Sequence, residues 1–158
     1  MSAVIPVENW GSSGITRSKG DDTVLKGKLI HPDIMAALAL CGHGDKVLIA
    51  DGNYPLDSKS GSAETIYLGL TPGQPNVTDV LGAIQSVINI EKAEVMAPAD
   101  GTIPEIFGEF KQMLGGMELE KLGRYEFYDA CCEAPVRLAI STGEKRVFAN
   151  LLITVGVA

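Results

Sequence analysis

The stretch Cys41-Gly42-His43-Gly44-Asp45-Lys46-Val47-Leu48-Ile49-Ala50-Asp51-Gly52-Asn53-Tyr54-Pro55 sets the reading of the whole chain. A helix-like segment ends at Gly42, a histidine follows in a glycine-flanked turn, and Val47 to Ala50 is an apolar run of strand length closed by Asp51. The order is helix, turn, strand, carboxylate. In sheets built from such units a ligand binds beyond the carboxyl ends of the strands, so Asp51, and His43 in its turn, are read as pocket residues. His43 exchanges protons near neutral pH, and Asp51 accepts hydrogen bonds from a ligand's hydroxyl groups or orients a ring.

Upstream of this stretch, His31-Pro32-Asp33 places a proline where the first turn of a helix accepts one. Ile34, Met35, Ala37, Leu38 and Leu40 then give an apolar face at helical spacing until Gly42 ends it. His31, just before that proline, is read as a cap-region or surface residue. Residues 1–24 mix Gly, Ser, Pro and charge without periodicity and are expected to form a flexible N-terminal arm. Trp10 is the exception within it, and in an oligomer such an arm can lie across a neighbouring subunit. Residues 25–158 are expected to form one domain.

Downstream, Asp51 to Pro55 reads as a loop, and Thr65-Ile66-Tyr67-Leu68-Gly69-Leu70 as a second strand. Lys59-Ser60-Gly61-Ser62 lacks the spacing of a phosphate-binding loop. Asn76 to Val87 returns to helical spacing, Glu91 to Ala97 to a strand, and Pro104 opens a helix with Ile103, Ile106, Phe107, Phe110 and Leu114 as its face. Leu119 to Leu122 is ambiguous. Arg124-Tyr125-Glu126-Phe127-Tyr128 reads either as aromatics packed into the core or as a stacking surface for a ligand ring. Val136 to Ser141 and Asn150 to Val155 are the last two strands, joined through the turn Thr142-Gly143-Glu144. The alternation predicts an α/β fold: a single three-layer domain with a mixed, mostly parallel sheet and helices on both faces.

Composition narrows the function classes. A hydrophobic fraction of 46% with 21% charged residues is that of an ordinary soluble domain, and 158 residues suffice to bury a core. The net charge of −7, without clustered Lys or Arg, argues against nucleic acid as a partner. No apolar run reaches the length of a membrane span, and the start lacks the pattern of a signal peptide. Cys41, Cys131 and Cys132 have neither zinc-site nor CxxC spacing, and read as reduced thiols of a cytoplasmic protein. GxSxG and HExxH are both absent. Gly42-His43-Gly44-Asp45 sets two possible metal ligands together, but no third is evident, so no metal site is expected. General acid–base work by His43 remains, beside the alternative that the histidine is structural.

Taken together, Gly42-His43-Gly44-Asp45, the strand ending in Asp51, Asn53-Tyr54-Pro55, Arg124 to Tyr128, Thr142-Gly143-Glu144 and the terminal Asn150-Leu151-Leu152 resemble the RbsD/FucU family of D-ribose pyranases and L-fucose mutarotases. The resemblance runs from about Leu25 to Val157. Arg124 to Tyr128 and the Asp51 to Pro55 loop are more similar to the fucose mutarotase branch. The resemblance implies an isomerase that interconverts anomers, or pyranose and furanose rings, of a free monosaccharide, L-fucose or similar, with no cofactor and no metal. It implies His43 as catalytic residue, with Asp51, Arg124, Phe148, Ala149 and Asn150 binding the sugar. It also implies a homo-oligomer, a decamer or similar ring assembly, with the pocket near a subunit interface.

Two departures accompany it. Phe148 stands where the family usually has tyrosine, so a phenolic hydroxyl is missing. Activity is then expected to be weak, or the hydroxyl's role to have moved, for example to Tyr54, Tyr125 or Tyr128. Phe107 appears where the ribose branch carries a histidine, which favours the fucose branch. The alternative function is a catalytically weak sugar-binding or regulatory member of the same family.

Overall fold

The computed structural model describes residues 23–158. The expected arm, Trp10 included, lies outside the described residues but for Thr23 and Val24. The elements follow in the order α1 (Pro32–Leu40), β1 (Lys46–Ala50), β2 (Glu64–Tyr67), α2 (Val77–Gln85), β3 (Ile90–Met96), α3 (Glu105–Met113), β4 (Leu119–Leu122), α4 (Arg124–Cys131), β5 (Val136–Ser141) and β6 (Leu151–Val155). Three α-helix boundaries have a plain local cause. His31 caps α1, its Nδ1 accepting the Ile34 N–H at 3.3 Å ahead of Pro32, which makes it the cap residue the sequence suggested. Asn76 and Asp79 form a capping box at the start of α2. Positive-φ Gly115 and Gly116 follow α3.

The six strands form one sheet in the order β2-β5-β1-β6-β3-β4. β2, β5 and β1 pair in parallel, as do β3 and β4, while β6 runs antiparallel to both β1 and β3. Five strands therefore point one way and the last returns between them. The period-two alternation of β1 sorts its residues: Val47 and Ile49 face a core shared with α1, α2 and α3, while Leu48 and Ala50 face a second core under α4. The result is the three-layer arrangement with a mixed, mostly parallel sheet that the alternation predicted. Each fully buried large side chain, such as Phe110, Phe127 or Leu81, contributes roughly 1.5–3 kcal/mol. No α-helix among the described residues is long and apolar enough to cross a membrane.

Local pattern and structure part at a few places. Leu119 to Leu122, ambiguous in its pattern, is a strand, and Arg124 starts a helix. The second strand stops at Tyr67, short of the expected Leu70, which lies on the surface. Ile103 stays outside α3 and is exposed, because the helix starts after Pro104.

Candidate active site

The directions of the strands decide where chemistry collects. The carboxyl ends of β1, β3, β4 and β5 share one edge of the sheet with the amino end of β6. Asp51 follows β1, Arg124 follows β4, and Asn150 precedes β6. A cleft of about 340 Å³ opens there, lined by Asp51, Arg124, Phe148 and Asn150 together with Tyr54 and Tyr128. That volume falls within the range of small-ligand pockets, roughly 300–1,000 Å³.

Asp51 and Asn150 form the floor as a reciprocal pair. The Asp51 N–H donates to Asn150 Oδ1 at 2.8 Å, and Asn150 Nδ2 donates to Asp51 Oδ2 at 3.3 Å. The Asn53 N–H donates to Asp51 Oδ1 at 2.9 Å, closing the turn after β1. Both side chains are buried. Burial pushes the Asp51 carboxyl above its ordinary range, and hydrogen bonds from the Asn53, Tyr54 and Ala149 backbone and the Asn150 amide pull the other way. The carboxylate keeps free lone pairs for hydroxyl donors. Ala149 is fully buried beside this pair.

Two more lining residues come from α4. Arg124 and Tyr128 are four residues apart, hence on one face of the helix, and both line the cleft. Phe127 turns inward and is fully buried, its ring edge-on to Tyr54 at 6.1 Å. Tyr125 is 77% exposed. The sequence left the aromatic group open between core and ligand surface; the helix buries Phe127 and leaves Tyr128 lining the cleft. Tyr54 donates its hydroxyl to the Lys59 carbonyl at 2.7 Å, and burial pushes that phenol further up. Phe148, at φ 58°, turns the chain into β6 and presents its ring to the cleft.

Two residues to which sequence reasoning gave no role of their own hold this loop. Glu144 is buried, and its carboxylate accepts hydrogen bonds from the Val77 N–H at the start of α2 and from the Arg146 backbone N–H, Nε and Nη2. Arg146 Nη1 reaches on to Glu109 of α3 at 2.9 Å. Burial alone would raise the Glu144 carboxyl, but the Arg146 contacts and the Val77 N–H outweigh it and hold the group below its ordinary range. Met96, the last residue of β3, also lines the cleft. Its place at a parallel strand's carboxyl end was the available signal.

His43 is elsewhere. It precedes β1, so it sits at the amino edge of the sheet, where the neighbouring Gly44 N–H donates to the Val155 carbonyl at the far end of β6. Its Nε2 lies 2.8 Å from Glu91 Oε2, and both side chains are about half exposed. The structure thus brings Asp51, Arg124, Phe148 and Asn150 together, with Ala149 behind them, and does not bring His43 to them within one chain. Within one chain β1 runs between His43 and Asp51, and the cleft that Asp51 lines does not include His43. Phe107 packs into the core under α3, away from the cleft, so its identity does not shape the pocket.

Comparison with known proteins gives the same frame. Residues 24–158 match the model of the RbsD / FucU transport protein family. The chain is 34% identical to a D-ribose pyranase of Paracidovorax citrulli over 136 residues, covering 82% of this chain and 95% of the relative. It is 29% identical to a fucose mutarotase of Bos taurus, covering 85% and 94%. Among solved structures it is similar to Bacillus subtilis RbsD complexed with D-ribose, at TM-score 0.73 and 26% identity, covering 82% of this chain and 95% of that one. It is likewise similar to the fucose mutarotase in complex with L-fucose from Streptococcus pneumoniae, at TM-score 0.70 and 26% identity, covering 82% and 94%. With a cleft at the carboxyl edge of the sheet and a family match over the entire described domain, the chain belongs to the RbsD/FucU family.

Proposed function

We propose that this protein is a monosaccharide mutarotase, an isomerase that opens and recloses the hemiacetal of a free sugar, L-fucose or a similar one. One observation carries the reading: the buried Asp51–Asn150 pair, Arg124, Tyr128 and the Phe148 ring line one cleft, which suits a small ring bearing several hydroxyl groups. The names of the relatives support the reaction class and include both ribose and fucose enzymes. Arg124 favours the fucose branch.

Ring opening moves two protons. A base takes the proton of the anomeric hydroxyl, the bond between the anomeric carbon and the ring oxygen breaks as the carbonyl forms, and the ring oxygen takes a proton. After rotation about the next carbon–carbon bond, the hydroxyl attacks the other face and both transfers reverse. Asp51, Asn150 and Arg124 hold the hydroxyl groups. His43 is the proton-transfer group, and it serves the cleft of a neighbouring copy in a homo-oligomeric ring, a decamer or similar, because its own chain holds it at the opposite edge of the sheet. Glu91 orients the imidazole there. The three free cysteines suit a reducing compartment such as the cytoplasm.

The test is anomeric exchange of L-fucose and D-ribose followed by NMR. Purified protein is expected to accelerate exchange of at least one, and His43→Ala to lose roughly 10²–10⁴-fold of the acceleration. Unchanged exchange for both sugars refutes the reading. The second reading, a sugar-binding member without catalysis, draws on Phe148 in place of tyrosine. Calorimetric binding with unaltered exchange would select it.

A further inference from the structure

Several of the polar groups around the cleft are already engaged within the protein. Asn150 and Asp51 are bonded to each other, and the Tyr54 hydroxyl is committed to the Lys59 carbonyl. Phe148 brings only a ring. Tyr125 is 77% exposed and is not among the residues lining the cleft, though its ring meets Tyr128 edge-on with centroids 6.3 Å apart. Tyr128 differs from all of these. It lines the cleft one helical turn from Arg124, and its phenol has no hydrogen-bond partner among the described residues. Its ring is fixed from two sides, edge-on to Tyr54 at 5.5 Å and 72°, with Lys59 Nζ 5.8 Å from its centroid. A cation within about 6 Å of the ring face is attracted to it and helps hold the ring in place. A held ring with an uncommitted hydroxyl in a polar cleft is a ligand-binding group.

We propose that Tyr128 is a substrate-contacting residue whose hydroxyl bonds a hydroxyl or the ring oxygen of the bound monosaccharide, opposite Asp51, with Arg124 beside it on the same helical face. The sugar is thereby gripped between two walls, an acceptor wall of Asp51 and a donor wall of Arg124 and Tyr128. The inference rests on the reading of the cleft as a monosaccharide site.

The experiment compares the full-length wild type with Tyr128→Phe and Tyr125→Phe, reading affinity for L-fucose and D-ribose by NMR titration and anomeric exchange in the same samples. Tyr128→Phe is expected to lose about tenfold in affinity or exchange rate for the preferred sugar, while Tyr125→Phe matches wild type. Because the phenol bonds nothing among the described residues, the melting temperature of Tyr128→Phe is expected to equal that of wild type. Tyr128→Phe within twofold of wild type in both readouts overturns the proposal, as does a fall of several degrees in its melting temperature, the sign of a hydroxyl spent on the protein. If wild type binds a sugar without altering exchange, the mutarotase reading fails while affinity still decides the role of Tyr128. If wild type binds neither sugar, both fall together.

Discussion

His43 and Asp51 stand at opposite ends of β1, with the whole of Lys46–Ala50 between them. Five strand residues span about 17 Å, too far for one imidazole to reach a sugar held by the aspartate of its own chain. The relationship makes the proposed chemistry depend on two copies, and it separates the two variants His43→Ala and Asp51→Asn. Each alone is expected to be inactive. Unfolded together and reassembled in equal amounts, they are expected to recover about one quarter of the wild-type exchange rate, since one site in four then draws both intact residues from different copies. A mixture as inactive as its components rules out the shared site.

Asn150 satisfies the Asp51 N–H and donates to its carboxylate, and all of these groups are buried. Asn150→Ala leaves a buried amide and a buried carboxylate short of partners, which costs about 1–3 kcal/mol. At about 2–4 °C per kcal/mol for a chain of this size, calorimetry is expected to show a melting temperature lowered by several degrees. Sugar affinity is expected to fall with it.

The pH dependence of stability has opposing contributions from two acids. Glu144 is held below its ordinary range, so between its folded value and the ordinary glutamate value the unfolded chain binds more protons than the folded one. Its stabilisation is complete above that window and is lost as pH falls through the folded value. Asp51 is raised by burial, so its effect runs the other way, stability falling as pH climbs from the ordinary aspartate value to the folded one. Glu144→Gln is expected to flatten the acid side of a melting-temperature profile taken from about pH 3 to pH 7 and to lower stability near neutrality by about 1–3 kcal/mol. Asp51→Asn is expected to steepen that side.

Phe127 is fully buried and anchors α4, whose outer face carries Arg124 and Tyr128. Phe127→Ala is expected to cost about 3–5 kcal/mol, measured by urea denaturation. Phe127→Leu, closer in volume, is expected to cost less and to retain sugar binding. Equal losses from the two would show that packing of this helix does not set the geometry of the cleft.

Much of this protein is written in local pattern. The run Val47 to Ala50 closed by Asp51, the proline after His31 and the helical spacing of Ile106, Phe107 and Phe110 each follow from periodicity and capping chemistry, which act over a few residues. The alternation of those units was enough for a three-layer α/β domain, and the rule that ligands bind beyond strand carboxyl ends was enough for Asp51. Arg124, Phe148 and Asn150 were named through family resemblance, and the fold places all three with Asp51 around one cleft.

Distance along the chain and distance in space part at the strands, and there only the tertiary structure decides. His43 is eight positions from Asp51, but an extended strand carries them to opposite edges of the sheet, whereas Asn150 is joined to Asp51 from far along the chain because β6 runs antiparallel beside β1. The Glu144–Arg146–Glu109 contacts and the uncommitted phenol of Tyr128 were equally out of sequence's reach. Which donors are already satisfied depends on groups brought together by folding, and no local pattern records that sum.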